Sequence, residues 1–246
     1  KSIKPFFWTA LIPFTFQENI FIKIVYTKAK DLEKIMNFIL VPFKNFKNAK
    51  SRLRKDLSDK ETKKIVKLML EDVLEQVSKS KLGDKKFLLT NDSEAIALGQ
   101  KYGLEIILEN KQINESTSVD NACTYLKKIG ASAVLRLPGD VPAISHQDID
   151  EIIHNGKKDN VSVLVPSESK LGTNAFFKCP PDVISSSFGE NSFEKHMASF
   201  IGNDIKFKVM EIENVSIDID SIEDLKKIKS SNKRSKTIDY IKETNL

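Results

Sequence analysis

The chain has 246 residues, of which 40% are hydrophobic and 30% carry a charge. This length and balance suit one large α/β domain or two small ones with a substantial core, and they exclude disordered and fibrous proteins. The net charge is +5, from 39 Lys and Arg against 34 Asp and Glu. Such a small excess suits an anionic substrate, but a Lys-rich solvated surface explains it equally well. We expect neither nucleic acid nor a membrane as a partner.

The cysteines and histidines indicate a reduced protein without structural zinc. Cys123 and Cys179 are too few for a disulfide framework, and neither lies in a CxxC pair. A reduced intracellular compartment, the cytoplasm, is the simplest setting for them. The histidines, His146, His154 and His196, show no ligand spacing for zinc.

The first 35 residues differ from the rest of the chain. Residues 5–16 are apolar and aromatic, but this run contains prolines and is shorter than the roughly 20 residues that span a bilayer. No small-residue cleavage site of a signal peptide follows it. Because the globular pattern begins at Met36, we expect residues 1–35 to be an N-terminal extension that is dispensable or not native.

From Met36 onwards, short apolar runs alternate with amphipathic segments. The apolar runs predict strands at 38–42, 86–90, 104–108, 131–137 and 161–165. Helical spacing and capping residues, such as Ser58 with Glu61, predict helices at 59–80, 92–102, 118–128 and 145–155. This alternation favours one Rossmann-like α/β domain over residues 36–229, with a mostly parallel central sheet flanked by helices.

The pattern changes after Pro166. Residues 173–178 and 205–212 predict the strands of a small antiparallel extension near the sheet edge, with a helix beginning at Ser192 between them. Residues 215–219 predict a further strand, and Ser221 caps the helix that follows. Residues 230–246 are rich in lysine and poor in apolar residues before Ile238, so we expect a frayed tail or a loose helix.

The loop after the first predicted strand is basic, and Lys44, Lys50 and Arg52 are among its cations. Ligands of a parallel sheet bind beyond the carboxyl ends of its strands. The loop is therefore placed to contact a polyphosphate through compact lysine charges and the forked arginine. It has no glycine and is not a Walker A loop. Taken alone, a solvated basic loop is the stronger interpretation.

Carboxylates mark the ends of two other predicted strands. Asp140 closes the run LPGD after strand 131–137. A carboxylate there suits Mg²⁺, which takes few protein ligands, although a turn residue that caps the helix near Ser145 is the alternative. Asp218 and Asp220 stand at the end of strand 215–219, and only one of them can face Asp140 because side chains alternate along a strand. A metal held between Asp140 and one of this pair is the natural combination.

The segments GTN at 172–174 and FGENS at 188–192 are the remaining polar candidates. The second enters a helix, whose free N–H groups and Ser192 hydroxyl form an anion site, and Thr173 adds a hydroxyl. Alone, Ser192 is more often a helix N-cap. His196 lies one turn further along and either approaches a phosphate or is simply a packed or exposed helix residue.

These motifs occur in an order that resembles the 2-phospho-L-lactate guanylyltransferase family, which makes a phosphoacid–nucleotide intermediate in coenzyme F-420 biosynthesis. The resemblance covers residues 36 to about 229 and rests on VPFKNFKNAKSRL, LPGDVP, GTNAF, FGENSFEKH and DIDSIEDL. Each motif alone is weak, whereas the ordered set is specific. The resemblance implies a nucleotidyltransferase that joins GTP to 2-phospho-L-lactate, phosphoenolpyruvate or a similar phosphoacid, and it implies a homodimer.

The resemblance also implies metal ligands for Mg²⁺, catalytic cations that contact the triphosphate, and residues that hold the phosphoacid. The implied metal ligands are Asp140, Asp218 and Asp220, and the implied catalytic cations are Lys44, Lys50 and Arg52. The residues that would hold the phosphoacid are Thr173, Gly189 and Ser192. A phosphomonoester is already mostly dianionic at neutral pH, so the reaction needs no general base. It needs charge neutralisation and in-line positioning, which cations and metal carboxylates supply.

The chain departs from the family pattern at two places. Residues 118–122 (SVDNA) stand where relatives have a glycine-rich Leu-Asn-Ala stretch that contacts the nucleoside, and Glu190 and Asn191 stand where relatives have Pro-Gly. The base contacts and the acid that is used can therefore differ. Two alternatives stay open: a related transferase for a molybdopterin, sugar phosphate or isoprenoid precursor, and a non-catalytic nucleotide-binding module.

Overall fold

The structure, a computed structural model, describes residues 35–109 and 113–244. The predicted N-terminal extension lies outside the described residues, apart from Ile35. Among the helices within those two ranges, none combines the length and the apolar character needed to cross a membrane.

The described residues form one seven-stranded sheet. Its strands are β1 (Asn37–Pro42), β2 (Lys85–Leu89), β3 (Glu105–Ile107), β4 (Ala133–Arg136), β5 (Ser162–Pro166), β6 (Thr173–Lys178) and β7 (Phe207–Val209). They are arranged in the order β3-β2-β1-β4-β6-β5-β7. All neighbours are parallel except at β6, which is antiparallel to both β4 and β5. The predicted α/β class with a mostly parallel sheet is confirmed.

The antiparallel strand lies inside the sheet and not in an extension at its edge. Every residue of β6 is buried, and Phe177 lies between Leu135 of β4 and Val163 of β5. An apolar run that is buried on both faces is typical of an interior strand. The expected position near the edge is corrected accordingly. β7 does lie at the edge, is shorter than the predicted 205–212, and pairs with β5 in parallel.

Helices cover both faces of the sheet. They are α1 (Asp59–Lys79), α2 (Ser93–Lys101), α3 (Glu115–Lys128), α4 (His146–Asp159), α5 (Ser192–Gly202), α6 (Glu213–Ser216), α7 (Ile222–Ser230) and α8 (Lys236–Glu243). The structure confirms the caps at Ser58, Ser145 and Ser221, each within a capping box. Helix α3 begins three residues before the prediction, because the Asn114 side chain accepts a hydrogen bond from the N–H of Thr117.

The side chains of β1 show how the two layers of core form. Ile39 and Val41 belong to the cluster that contains the apolar face of α1, whereas Phe38 and Leu40 belong to the cluster that contains α3. All four are fully buried. Side chains alternate along a strand, so a continuous apolar run is what a strand covered on both faces requires.

Residues 215–219 do not form the predicted strand. The chain makes the short helix α6 there and then continues across the end of β4. The Asn174 side chain donates to the carbonyl groups of Val215 (2.9 Å) and Ser216 (3.1 Å), and the N–H of Ile219 donates to the carbonyl of Asp140 (3.2 Å). The alternating apolar pattern of residues 215–219 wrongly predicted a strand, because the backbone there bonds to the Asn174 side chain and to Asp140 and not to a neighbouring strand.

Helix α8 is packed on α1 and is not frayed. Ile238 and Ile241 are fully buried in the main core. The buried carboxylate of Asp72 in α1 accepts hydrogen bonds from the N–H of Lys236 (3.0 Å) and from the N–H and hydroxyl of Thr237 (2.9 and 2.6 Å). Asp72 therefore satisfies the free N–H groups at the start of α8.

Candidate active site

A cavity of about 500 Å³ opens beyond the carboxyl ends of β1, β2 and β4. The loop after β1 forms one wall and the LPGD turn after β4 forms another, while Val66 and Met69 of α1 contribute apolar surface. All three cations predicted from the loop line this cavity, as do Asp140 and Asp220. The placement after a strand that the sequence predicts is therefore found for Lys44, Lys50, Arg52 and Asp140, whereas Asp220 reaches the cavity although its predicted strand does not form.

Lys50 joins the two carboxylates across the cavity. Its Nζ donates to Asp140 Oδ2 at 2.6 Å and also to Asp220 Oδ1. Its side chain is only 9% exposed, and its backbone has a φ of +57°, in the left-handed region. Burial opposes the charge of Lys50, but the pKa of its ammonium is raised because Asp140 and Asp220 attract and bond to it. Lys50 therefore carries a fixed positive charge beside the aspartates.

Asp140 has spare capacity for a further ligand. Its Oδ1 is buried and has no hydrogen-bond partner among the described residues. Asp218 accepts a hydrogen bond from Asn174 Nδ2 (3.1 Å), and burial and the neighbouring Asp140 raise the pKa of its carboxyl. Within the described part of the chain, however, no three His, Cys, Asp or Glu side chains are grouped as a metal site. The three metal-ligand assignments stay predictions.

Lys44 and Arg52 differ from Lys50 in that both are exposed at the cavity. Lys47, in the same loop, is exposed but does not line it. Because Lys44 and Arg52, unlike Lys50, make no bond to these aspartates in the described part of the chain, they are available to an anion that enters the cavity.

Thr173 and Ser192 are buried and tie β6 to α5. The N–H of Thr173 donates to Ser192 Oγ (2.8 Å), and Thr173 Oγ1 lies 2.9 Å from His196 Nδ1. His196 Nε2 accepts from the N–H of Ser187 (2.8 Å). Neither hydroxyl, nor Gly189 with its φ of +107°, lines the 500 Å³ cavity in the described part of the chain. Their assignment to the phosphoacid stays a prediction.

The alternative interpretations of Ser192 and His196 are settled in part. Ser192 is the first residue of α5, and the cap position is held by Asn191, whose side chain makes no capping bond. His196 is fully buried. Burial, followed by repulsion from Lys178 and Arg136, lowers the pKa of its imidazole to about 4. A neutral, packed histidine is the result.

Arg136 is the cavity residue that the sequence interpretation missed. It is the last residue of β4, only 5% exposed, and lines the cavity. Its guanidinium donates to Glu115 and lies over the ring of Phe188, with Cζ 4.2 Å from the ring centroid. The available signal was a single arginine in the otherwise apolar run ASAVLRL, where a buried charge requires a partner.

In the segment 118–122, Ser118 and Asp120 have different surroundings. Ser118 lines the cavity and donates to Glu109, which also lines it. Asp120 does not line the cavity. It accepts hydrogen bonds from the buried Lys178 (2.7 Å) and from the N–H of Ser186 (2.9 Å), and so anchors the loop after β6. Ser118 is thus the residue of this segment that can reach a ligand.

Comparisons with known proteins find matches over most of the chain. The sequence profile of the family described as "Guanylyl transferase CofC like" matches residues 36–246. Phosphoenolpyruvate guanylyltransferase from Conexibacter woesei is 28% identical over 189 residues, covering 76% of this chain and 85% of that protein. 2-Phospho-L-lactate guanylyltransferase from Methanobrevibacter smithii is 26% identical over 207 residues, covering 84% of this chain and 90% of that protein.

Two solved structures resemble the fold. A nucleotidyl transferase from Methanothermobacter thermautotrophicus superposes with a TM-score of 0.61 at 13% identity, covering 85% of this chain and 99% of that one. A cytidylyltransferase from Leptospira borgpetersenii gives a TM-score of 0.56 at 16% identity, covering 85% of this chain and 94% of that one. At these identities the likeness concerns the fold alone.

Proposed function

We propose that this chain, which belongs to the CofC-like guanylyl transferase family, joins the guanylyl group of GTP to a small phosphorylated acid and releases pyrophosphate. Family membership makes the chain a nucleotidyltransferase. The acids in the names of its relatives, 2-phospho-L-lactate and phosphoenolpyruvate, are the proposed acceptors. The proposed pathway is coenzyme F-420 biosynthesis.

The observation that carries the proposal is the arrangement of charge around one cavity. Lys50 is fixed between Asp140 and Asp220, while Lys44 and Arg52 remain exposed on the same loop. A triphosphate brings several negative charges into the cavity, and the exposed Lys44 and Arg52 are in place to neutralise them, while Lys50 adds a fixed positive charge between the two aspartates.

The reaction is a displacement at the α-phosphorus of GTP. A phosphate oxygen of the acid forms a new bond to that phosphorus, and the bond to the oxygen that leads to the β-phosphate breaks. The electron pair leaves with pyrophosphate. The attacking phosphate is already mostly dianionic at neutral pH, so no residue has to remove a proton. Lys44, Lys50 and Arg52 hold the triphosphate in line and stabilise charge on the leaving group.

The donor set fits a magnesium ion. Asp140 offers a buried oxygen without a hydrogen-bond partner in the described part of the chain. Asp220 or Asp218 would supply the second carboxylate, and Mg²⁺ commonly keeps water and phosphate oxygens for its other positions. When bound, the ion would contribute neutralisation of the triphosphate.

The experiment is a matrix of nucleotides and acceptors with the full chain and Mg²⁺. Pyrophosphate release is measured with GTP, ATP, CTP and UTP against 2-phospho-L-lactate, phosphoenolpyruvate, 3-phosphoglycerate and a sugar phosphate, with mass spectrometry of the product. We expect product with GTP and at least one phosphoacid. Product from the sugar phosphate alone would support the alternative transferase, and no product in any combination would overturn the proposal.

The remaining expectations belong to the same proposal. We propose that the enzyme is cytoplasmic and dimeric, and that residues 1–35 are not needed for activity. The start of the family match at Met36 supports the last point, and the free thiols of Cys123 and Cys179 support a reduced compartment. A chain that begins at Met36 should keep its kcat, and sedimentation should give twice the mass of one chain.

A further inference from the structure

A buried arginine lies in the wall of the active-site cavity and is held rigidly. The Nη1 of Arg136 donates to the carbonyl groups of Thr173 (3.4 Å) and Asn174 (3.2 Å), both in β6. The Phe188 ring packs against the guanidinium plane at 4.2 Å. These contacts fix the position of the charge, because β4 and β6 are paired inside the sheet.

The donors of Arg136 are not all used. A guanidinium has five N–H donors in a fork. Nη1 and Nη2 have acceptors, but the buried Nε has none among the described residues. A buried donor without an acceptor is unusual in a folded protein and calls for a ligand or a water. Arg136 and Glu115 both line the 500 Å³ cavity, so an acceptor that displaces Glu115 can approach the guanidinium from there.

The structure also indicates what kind of acceptor fits. Nη2 is occupied by a carboxylate oxygen, Glu115 Oε1. The Glu115 side chain is 43% exposed, whereas that of Arg136 is 6% exposed. Glu115 can therefore turn away into solvent while Arg136 cannot move. A carboxylate from a ligand can take the place of the Glu115 carboxylate and bond to Nη2 and Nε together, in the bidentate geometry that arginine favours.

We propose that Arg136 binds the carboxylate of the acceptor acid in exchange for Glu115, and so selects phosphoacids over other phosphomonoesters. This inference rests on the proposed guanylyl transfer. In 2-phospho-L-lactate and in phosphoenolpyruvate the carboxylate and the phosphate are attached to the same carbon atom. Holding the carboxylate at a rigid cation therefore orients the attacking phosphate.

The triphosphate is a less suitable ligand for this guanidinium. Lys44, Lys50 and Arg52 already supply three cations from the loop after β1, which also lines the cavity. Arg136 comes instead from the end of β4 and is bonded to β6. The test therefore separates effects on the acid from effects on GTP.

The experiment compares 2-phospho-L-lactate with isopropyl phosphate, in which a methyl group replaces the carboxylate. With saturating GTP, we expect Arg136→Met to lower kcat/KM for the phosphoacid by about 10- to 100-fold, the usual loss for a charged hydrogen bond. The value for isopropyl phosphate should stay within about twofold, and Arg136→Lys should recover part of the preference. The KM for GTP should not change. Thermal melting verifies that each variant is folded.

Glu115→Gln provides a second test that leaves the guanidinium in place. It removes the competing carboxylate, so the KM for 2-phospho-L-lactate should fall while that for isopropyl phosphate stays the same. The inference would be overturned if Arg136→Met lowered kcat/KM equally for both acceptors, or if it raised the KM for GTP and left kcat/KM for the acid unchanged. A raised KM for the acid in Glu115→Gln would overturn it as well. If the wild-type chain releases no pyrophosphate with any phosphoacid, the proposed function itself fails, which is a distinguishable result.

Discussion

Replacing His196 by glutamine is expected to remove much of the dependence of the unfolding free energy on pH between pH 6.5 and pH 4. His196 is fully buried, with Nδ1 2.9 Å from Thr173 Oγ1 and Nε2 accepting from the N–H of Ser187. Burial and then the nearby charges of Lys178 and Arg136 lower the pKa of the imidazole from 6.5 to about 4.

The sign and size of the effect follow from that pKa. In the unfolded chain the imidazole takes up a proton near pH 6.5, while in the folded chain it does so only near pH 4. The unfolded state therefore binds more protons in this window, and stability that is complete above pH 6.5 is lost as the pH falls through it. At about 1.4 kcal/mol for each unit of pKa, the contribution of His196 is about 3 kcal/mol.

Urea unfolding at several pH values between 7 and 4 measures this directly. The wild-type chain should lose about 3 kcal/mol more than His196→Gln over the range. His154→Gln is the matched control, because His154 is an exposed histidine on α4. Curves of unfolding free energy against pH that run parallel for wild type and His196→Gln would refute the reasoning.

Three further predictions concern the site and its support. Lys50→Met should lower kcat about 100-fold or more in a pyrophosphate-release assay, because it removes a preorganised charge. The control Lys47→Ala should keep kcat within about twofold of wild type. Equal losses of kcat in the two variants would contradict the role of Lys50. Chelation of divalent cations should abolish turnover and Mg²⁺ should restore it, but Asp140→Asn should remain inactive even in excess Mg²⁺. Asp72→Ala should lower the free energy of unfolding, measured in urea, by about 2–3 kcal/mol, because buried donors at the start of α8 lose their acceptor. A loss below about 0.5 kcal/mol would argue against this role of Asp72.

Much of the fold was predictable because its determinants are local. Each apolar run of a parallel strand, and each serine cap of α1, α4 and α7 with its acidic partner, is made of residues that lie within a few positions of each other in sequence. The convergence of Lys50 and Asp140 was predictable too, since loops that follow parallel strands meet at one edge of the sheet, whereas Asp220 joins them without the strand that was predicted before it. The separation of Lys50 and Asp140 by 90 positions did not prevent this.

Other features depend on contacts that no local pattern records. The interior position of β6 is decided by its neighbours β4 and β5, and an apolar run looks the same at an edge or inside. Residues 215–219 lie outside the sheet, where Asn174 bonds to the carbonyl groups of Val215 and Ser216. In the sequence, Arg136 is part of an ordinary apolar strand. Its place in the cavity wall can be recognised only from its contacts with Glu115 and Phe188, which are distant in sequence.

The packing of α8 on α1 has a consequence for when the active site is completed. Val66 and Met69 of α1 line the cavity, while Asp72 of the same helix bonds to Lys236, 164 positions later in the chain. During synthesis, α1 is therefore made long before the helix that covers it. This part of the support of the cavity wall arrives only after α8 has been translated, so a chain interrupted between the two would be expected to bind nucleotide poorly even with Lys50, Asp140 and Asp220 already present.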